Sequence, residues 1–146
     1  MAKITEDYCS LEVAKLLKKK GFNEKCRGGY HSEFDDNDNP IVMFEEWMAQ
    51  PYNNDFVDEG FLCSAPTHQM TMAWLREVHN IYLNINIRII LGQWAGYDIS
   101  VYTTDNDGFL NKNIPIKLKD NISYEQAVEA GIKYALENLI WYGNKY

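Results

Sequence analysis

Between residues 81 and 90 the chain alternates without a break: Ile81, Leu83, Ile85, Ile87 and Ile89 at odd positions, Tyr82, Asn84, Asn86 and Arg88 at even ones. That period of two over such a length predicts a half-buried β-strand, its odd side on a core and its even side in water. What flanks the strand is constrained in turn. Ala65-Pro66-Thr67 predicts the start of a helix over His68–His79, with Thr67 as cap and Pro66 barring extension upstream. Met70, Ala73, Trp74, Leu75 and Val78 form its apolar stripe. After the strand, Gly92-Gln93-Trp94-Ala95-Gly96 predicts a hairpin turn. Tyr97, Ile99 and Val101 then return antiparallel, with Asp98, Ser100 and Tyr102 outward. Residues 103–108 are a polar turn. Ile114-Pro115-Ile116-Lys117-Leu118 predicts an edge strand, because Pro115 fits only where no ladder N–H is needed.

Two further helices are written in their caps. Ser10 can accept from an orphan N–H of the turn after it, and Val13, Ala14, Leu16 and Leu17 share one side. Lysines 18–20 suit the negative helix end, and Gly21 suits the left-handed residue that closes it. Ser123-Tyr124-Glu125-Gln126 is a capping box opening a helix to about Trp141. Gly131 and Ala135 on its inner face are small enough for close approach to a sheet. Together these elements predict an α+β fold: an antiparallel sheet of three to four strands with three helices mainly on one face. The chain is expected to form one domain over 1–146, with residues 28–64 as an irregular acidic insertion. Within it Ile41 to Trp47 can form a strand or a single helical turn, and Phe56, Phe61 and Leu62 around Gly60 a second short strand.

Charge narrows the function classes. The net charge of −7 is unevenly spread: +3 over residues 1–27, −9 over 28–75, where no Lys or Arg occurs, and −1 over 76–146. Such a surface argues against direct nucleic-acid binding through phosphate contacts and favours a partner with a basic surface. No apolar run approaches the roughly 20 residues of a membrane-spanning helix, and no apolar leader follows Met1, so a cytoplasmic protein is expected. Cys9, Cys26 and Cys63 form no CxxC pair and read as reduced, buried thiols.

Three stretches, DYCSLEVAKLLKKKGF (7–22), APTHQMTMAWLREVH (65–79) and SYEQAVEAGIKYAL (123–136), together resemble a group of small phage- and prophage-encoded proteins of unknown function. The likeness covers both ends and the centre of the chain but not residues 30–61. It implies a shared fold and a setting in the bacterial cytoplasm as an accessory protein of a mobile element. It implies no activity and no catalytic residues.

Chemistry-bearing patterns are sparse. Cys26 with His31 and Cys63 with His68 repeat one spacing and offer two thiols and two imidazoles for zinc, although structural sites pair ligands two to four residues apart. Buried cysteines and surface histidines explain the same residues. Asp35, Asn37, Asn39 and Glu46 fall at EF-hand-like positions, but Pro40 stands where that loop needs glycine. Cys63 or Ser64 with His68 or His79 would make a nucleophile–base pair on paper, yet no nucleophile elbow, phosphate loop or HExxH occurs. No catalytic residue and no cofactor is assigned.

The densest constellation is acidic and aromatic: Glu33, Phe34, Asp35, Asp36, Asp38, Phe44, Glu45, Glu46, Trp47, Tyr52, Asp55, Phe56, Asp58 and Glu59. A solvated loop with aromatics turned inward accounts for it. As a functional surface it offers aromatic anchors and carboxylates for a basic protein, including one whose groove normally takes nucleic acid. The outward sheet face with Tyr82 and Arg88 is a second surface. The expected function is a non-enzymatic, phage-type protein-binding module, an acidic inhibitor of a host nucleic-acid-handling or defence protein. The alternative is a small-molecule- or zinc-binding protein with hydrolytic activity. A homo-oligomerising accessory protein is a third class.

Overall fold

The helices capped by Ser10 and Ser123 begin where those residues say they should. The computed structural model describes residues 7–46, 53 and 60–140. Helix α1 (Leu11–Lys19) starts at Ser10, whose Oγ accepts from the Val13 amide, and closes on Gly21 at φ 96°. Helix α2 spans His68–His79. Helix α3 (Tyr124–Asn138) opens with the reciprocal capping box: Gln126 N–H donates to Ser123 Oγ at 3.1 Å, and Ser123 N–H donates to Gln126 Oε1 at 2.9 Å. With two antiparallel three-stranded sheets beside these helices, the fold is α+β.

The strands divide between two sheets rather than joining one. The described residues form two compact units, one within residues 7–67 and the other residues 68–140. In the first, β1 (Gly28–Phe34) lies between β2 (Pro40–Glu46) and β3 (Phe61–Ala65). Residues 28–46 and 60–65 are thus a regular antiparallel sheet, not an irregular excursion. Helix α1 packs on the face that carries Tyr30, Cys63 and Ala65, with Ala14 and Leu11 against them. Tyr30 donates to the Cys9 carbonyl at 2.8 Å, and Cys9 N–H donates to the Pro66 carbonyl at 2.9 Å, tying the lead-in of α1 to the sheet. At Gly28 a Cβ would come within 2.8 Å of the Ala65 carbonyl and of the Tyr8 ring. Only glycine admits that approach.

The second unit is built on β4 (Ile81–Ile90), β5 (Gln93–Thr104) and β6 (Leu110–Ile116), in that spatial order. Pro115 sits on the edge strand, as its missing N–H requires. Helix α3 packs on β4 and β5, so closely at Gly131 that an added Cβ would lie 3.2 Å from Ile99 Cδ1 and 3.4 Å from Leu83 Cδ1. Val128, Ile132, Ala135, Leu136, Ile99, Val101 and Ile81 are all buried. This is the core that the alternation predicted.

The alternation fails beyond Asn86. Ile81 is buried, and Leu83 and Ile85 are partly buried, but Ile87 is 63% exposed and Ile89 and Ile90 are also exposed. Two causes act together. The α3 layer begins at Tyr124, whose ring meets Tyr97 opposite Ile87, so the distal hairpin extends past the helix. The outward Arg88 is meanwhile covered by the segment after β6 and has a side chain only 10% exposed. A bulge at Arg88/Ile89 follows. The hairpin turn is shorter than expected: Leu91 (φ 51°) and Gly92 (φ 79°) make it, while Gly96 (φ 119°) lies within β5 opposite Arg88.

Candidate functional site

The acidic constellation resolves into parts with different occupations. The β1–β2 connection is held by Asp35, whose Oδ1 accepts from the amides of Asn37 (2.8 Å) and Asn39 (2.9 Å). Those amide bonds hold the Asp35 carboxyl below its ordinary range. This is an Asx-type turn with no oxygen cage around it. Asp36 and Asp38 stand exposed at its tip, and Glu46 is exposed at the end of β2. Trp47, Tyr52, Asp55, Phe56, Asp58 and Glu59 lie outside the described residues.

Strand β2 runs along one edge of its sheet, with β1 as its only neighbour among the described residues. Its pairs His31↔Met43 and Glu33↔Ile41 alternate with Ser32↔Val42 and Tyr30↔Phe44. Ser32 N–H donates to the Gly60 carbonyl on the β3 side, so the odd residues of β1 face β2 with their hydrogen-bonding groups. Val42 and Phe44 therefore turn their own N–H and C=O groups to the free edge. Ile41, Val42, Met43 and Phe44 are all exposed, and Phe34 beside them is 71% exposed.

On one face of this hairpin, His31, Glu33 and Glu45 come together. Glu45 is paired with Gly29, one diagonal step from His31. His31 Nε2 lies 2.8 Å from Glu33 Oε1 and 3.4 Å from Glu45 Oε1, and one ligand atom from each residue falls within a 4.8 Å set. The imidazole is buried while both carboxylates reach solvent. Sequence reading placed Glu45 and His31 in separate patterns and gave Glu33 no metal role. The available signal was the His-x-Glu step on an alternating strand, which becomes a site only once β2 is paired to β1.

The proposed Cys26–His31–Cys63–His68 set is not gathered among the described residues. Cys63 pairs with Tyr30 and shares its α1-facing side, opposite to His31. Burial pushes the Cys63 thiol up to about 11, with Lys18 and Lys15 pulling weakly the other way. Burial likewise pushes Cys26 up to about 12, against a hydrogen bond with Ser64. Both shifts disfavour the thiolate, so neither cysteine is poised as a nucleophile. His68 opens α2 in the second unit, with Nε2 3.3 Å from Glu129 Oε1.

On the second sheet, Tyr82 is exposed but Arg88 is committed internally. Its guanidinium donates to Asp98 (2.8 and 3.2 Å), to the Leu118 carbonyl at 2.6 Å, to the Tyr97 carbonyl at 3.2 Å, and to Asp120. That hydrogen bonding holds the Asp98 carboxyl below its ordinary range. An unforeseen apolar surface lies at the hairpin end, where Leu91 is 99% exposed beside Ile87, Ile89, Ile90 and Trp94. Among the described residues no helix is long and apolar enough to cross a membrane. Searches of family models, curated proteins and solved structures find no match to the chain.

Proposed function

We propose that this protein is a non-enzymatic protein-binding module that takes a partner with a basic surface along the β1–β2 hairpin. The observation that carries the reading is the edge of β2, unpaired among the described residues: Val42 and Phe44 direct backbone donors and acceptors away from β1. Around them lie exposed apolar side chains and the carboxylates of Asp36, Asp38 and Glu46. An unblunted edge strand without lysine is a template for an added strand, and flanking acids steer a cationic partner to it. In line with the resemblance to phage proteins, the reading extends to a cytoplasmic accessory protein that occupies the basic groove of a nucleic-acid-handling or defence protein. Carboxylates would stand there in place of phosphates.

The test is co-purification of the tagged protein from a bacterial host beside its Val42→Pro variant. Proline at 42 removes an outward N–H and leaves the β1 ladder intact. A stoichiometric basic partner lost in the variant and weakened by salt supports the reading. A partner retained equally by both forms, or none at all, sinks it.

A further inference from the structure

We propose that His31, Glu33 and Glu45 form a binding site for one divalent first-row transition-metal ion of the zinc class. Three observations converge on it. The first is charge. Two carboxylates converge on a single imidazole, and among the described residues neither Glu33 nor Glu45 is paired with a Lys or Arg. Residues 28–75 contain no such cation at all. A neutral His31 leaves the cluster at −2 and an imidazolium leaves it at −1, whereas a divalent ion on a neutral imidazole balances it.

The second is geometry. Tetrahedral zinc with bonds near 2.1 Å sets its ligand atoms roughly 3.4 Å apart. His31 Nε2 and Glu45 Oε1 are already 3.4 Å apart. The 2.8 Å contact to Glu33 opens, and the remaining spread within 4.8 Å closes, by rotation of glutamate side chains that are 49% and 43% exposed. The backbone supplies a rigid base, since His31 and Glu33 are alternate residues of one strand and Glu45 stands on its ladder partner.

The third is the state of the imidazole. Its side chain is only 9% exposed, and its Nε2 is the ring atom turned to Glu33 and Glu45. A ring fixed this deeply keeps Nε2 aimed between the two carboxylates. An imidazole with two oxygens favours zinc, cobalt, nickel or iron over calcium and magnesium, which take oxygen ligands. Three protein ligands leave the fourth position to water.

The site is independent of the partner reading, and its test uses the metal alone. The full chain, stripped with a chelator, is titrated with Zn²⁺ against a chromophoric competitor, and Co²⁺ is followed by its visible absorption. One equivalent per chain is expected, with a Co²⁺ spectrum of nitrogen and oxygen ligation. Glu33→Gln and Glu45→Gln, at exposed positions that keep the fold by circular dichroism, should each weaken Zn²⁺ binding at least about tenfold. His31→Ala should abolish it, while Cys26→Ser, Cys63→Ser and His68→Ala keep one equivalent. Failure of the intact chain to take up Zn²⁺ overturns the proposal. So does undiminished binding by the Glu33→Gln/Glu45→Gln double variant, or a thiolate-to-cobalt charge-transfer band.

Discussion

Asp38 and Gly108 occupy the same place in two matching hairpin turns, one in each unit. In the first turn Asp35 N–H donates to the Asn39 carbonyl at 2.9 Å, and Asp38 N–H donates to the Asp35 carbonyl at 3.0 Å. In the second, Asp105 N–H donates to Phe109 O at 2.9 Å, and Gly108 N–H to Asp105 O at 3.1 Å. The Asp105 carboxylate accepts from Asp107 and Phe109 as that of Asp35 does from Asn37 and Asn39. Both fourth residues are left-handed, Asp38 at φ 61° and Gly108 at φ 86°. Asp38 bears a steric cost that Gly108 does not. Gly108→Ala should lower stability by about 1–2 kcal/mol, and Asp38→Gly should raise it by a few tenths to about 1 kcal/mol, in urea denaturation.

The close approach of α3 to its sheet gives a sharper test. Gly131→Leu would drive side-chain atoms into Ile99 and Leu83. A loss of about 1–3 kcal/mol is expected from overpacking, read as a lower urea midpoint with the slope unchanged.

The thiols should be silent in the folded protein. Cys9, Cys26 and Cys63 are buried thiols, none of them in a disulfide. Ellman's reagent at neutral pH should label none of them rapidly in native protein and all three in denaturant. Because burial raises Cys26 from 9.0 to about 12 and Cys63 from 9.0 to about 11, their contribution to stability is complete below pH 9. It falls as pH rises above that value, since the unfolded chain then ionises first.

Asp98 works in the opposite direction. Its carboxyl is held below its ordinary value of 3.8, chiefly by the hydrogen bond from Arg88. Stability from this pair is present above that value and is lost as pH falls below it. Asp98→Asn should flatten that acid limb in thermal melts across pH. The loss at neutral pH should be modest, because the carboxylates of Asp98 and Asp120 remain in contact with water.

What the sequence discloses follows the range of the interactions. Ser10, Ser123 and Gln126 act within one helical turn, so all the cap bonds they make were legible. Gly131 was legible as a close-approach residue because it and Ala135 stand four apart on one helix face, although what it approaches, Ile99 and Leu83, was not. The parity of Ile81 to Ile85 was legible because a helix covers that part of the sheet. Ile87 and Ile89 broke the rule because cover is a tertiary property, and no local pattern says where α3 begins to overlie β4. Strand β2 was legible only as a strand or a single helical turn, because its side chains are exposed on both faces and leave no period of two. The His31–Glu33–Glu45 cluster depends on the register Gly29↔Glu45, a pairing across the hairpin that composition does not encode.

The turned-back carboxylate of Asp35 has an electrostatic consequence. With that group hydrogen-bonded to its own loop, and Glu33 and Glu45 converging on one imidazole, these three carboxylates keep their charge but are held in place by their neighbours. Among the described residues, the acidic side chains of this hairpin without such a neighbour are Asp36, Asp38 and Glu46, spaced along it. On the proposed partner reading, such an acidic rim would speed encounter and set orientation, while the lifetime of the complex would rest on the apolar run 41–44 of β2.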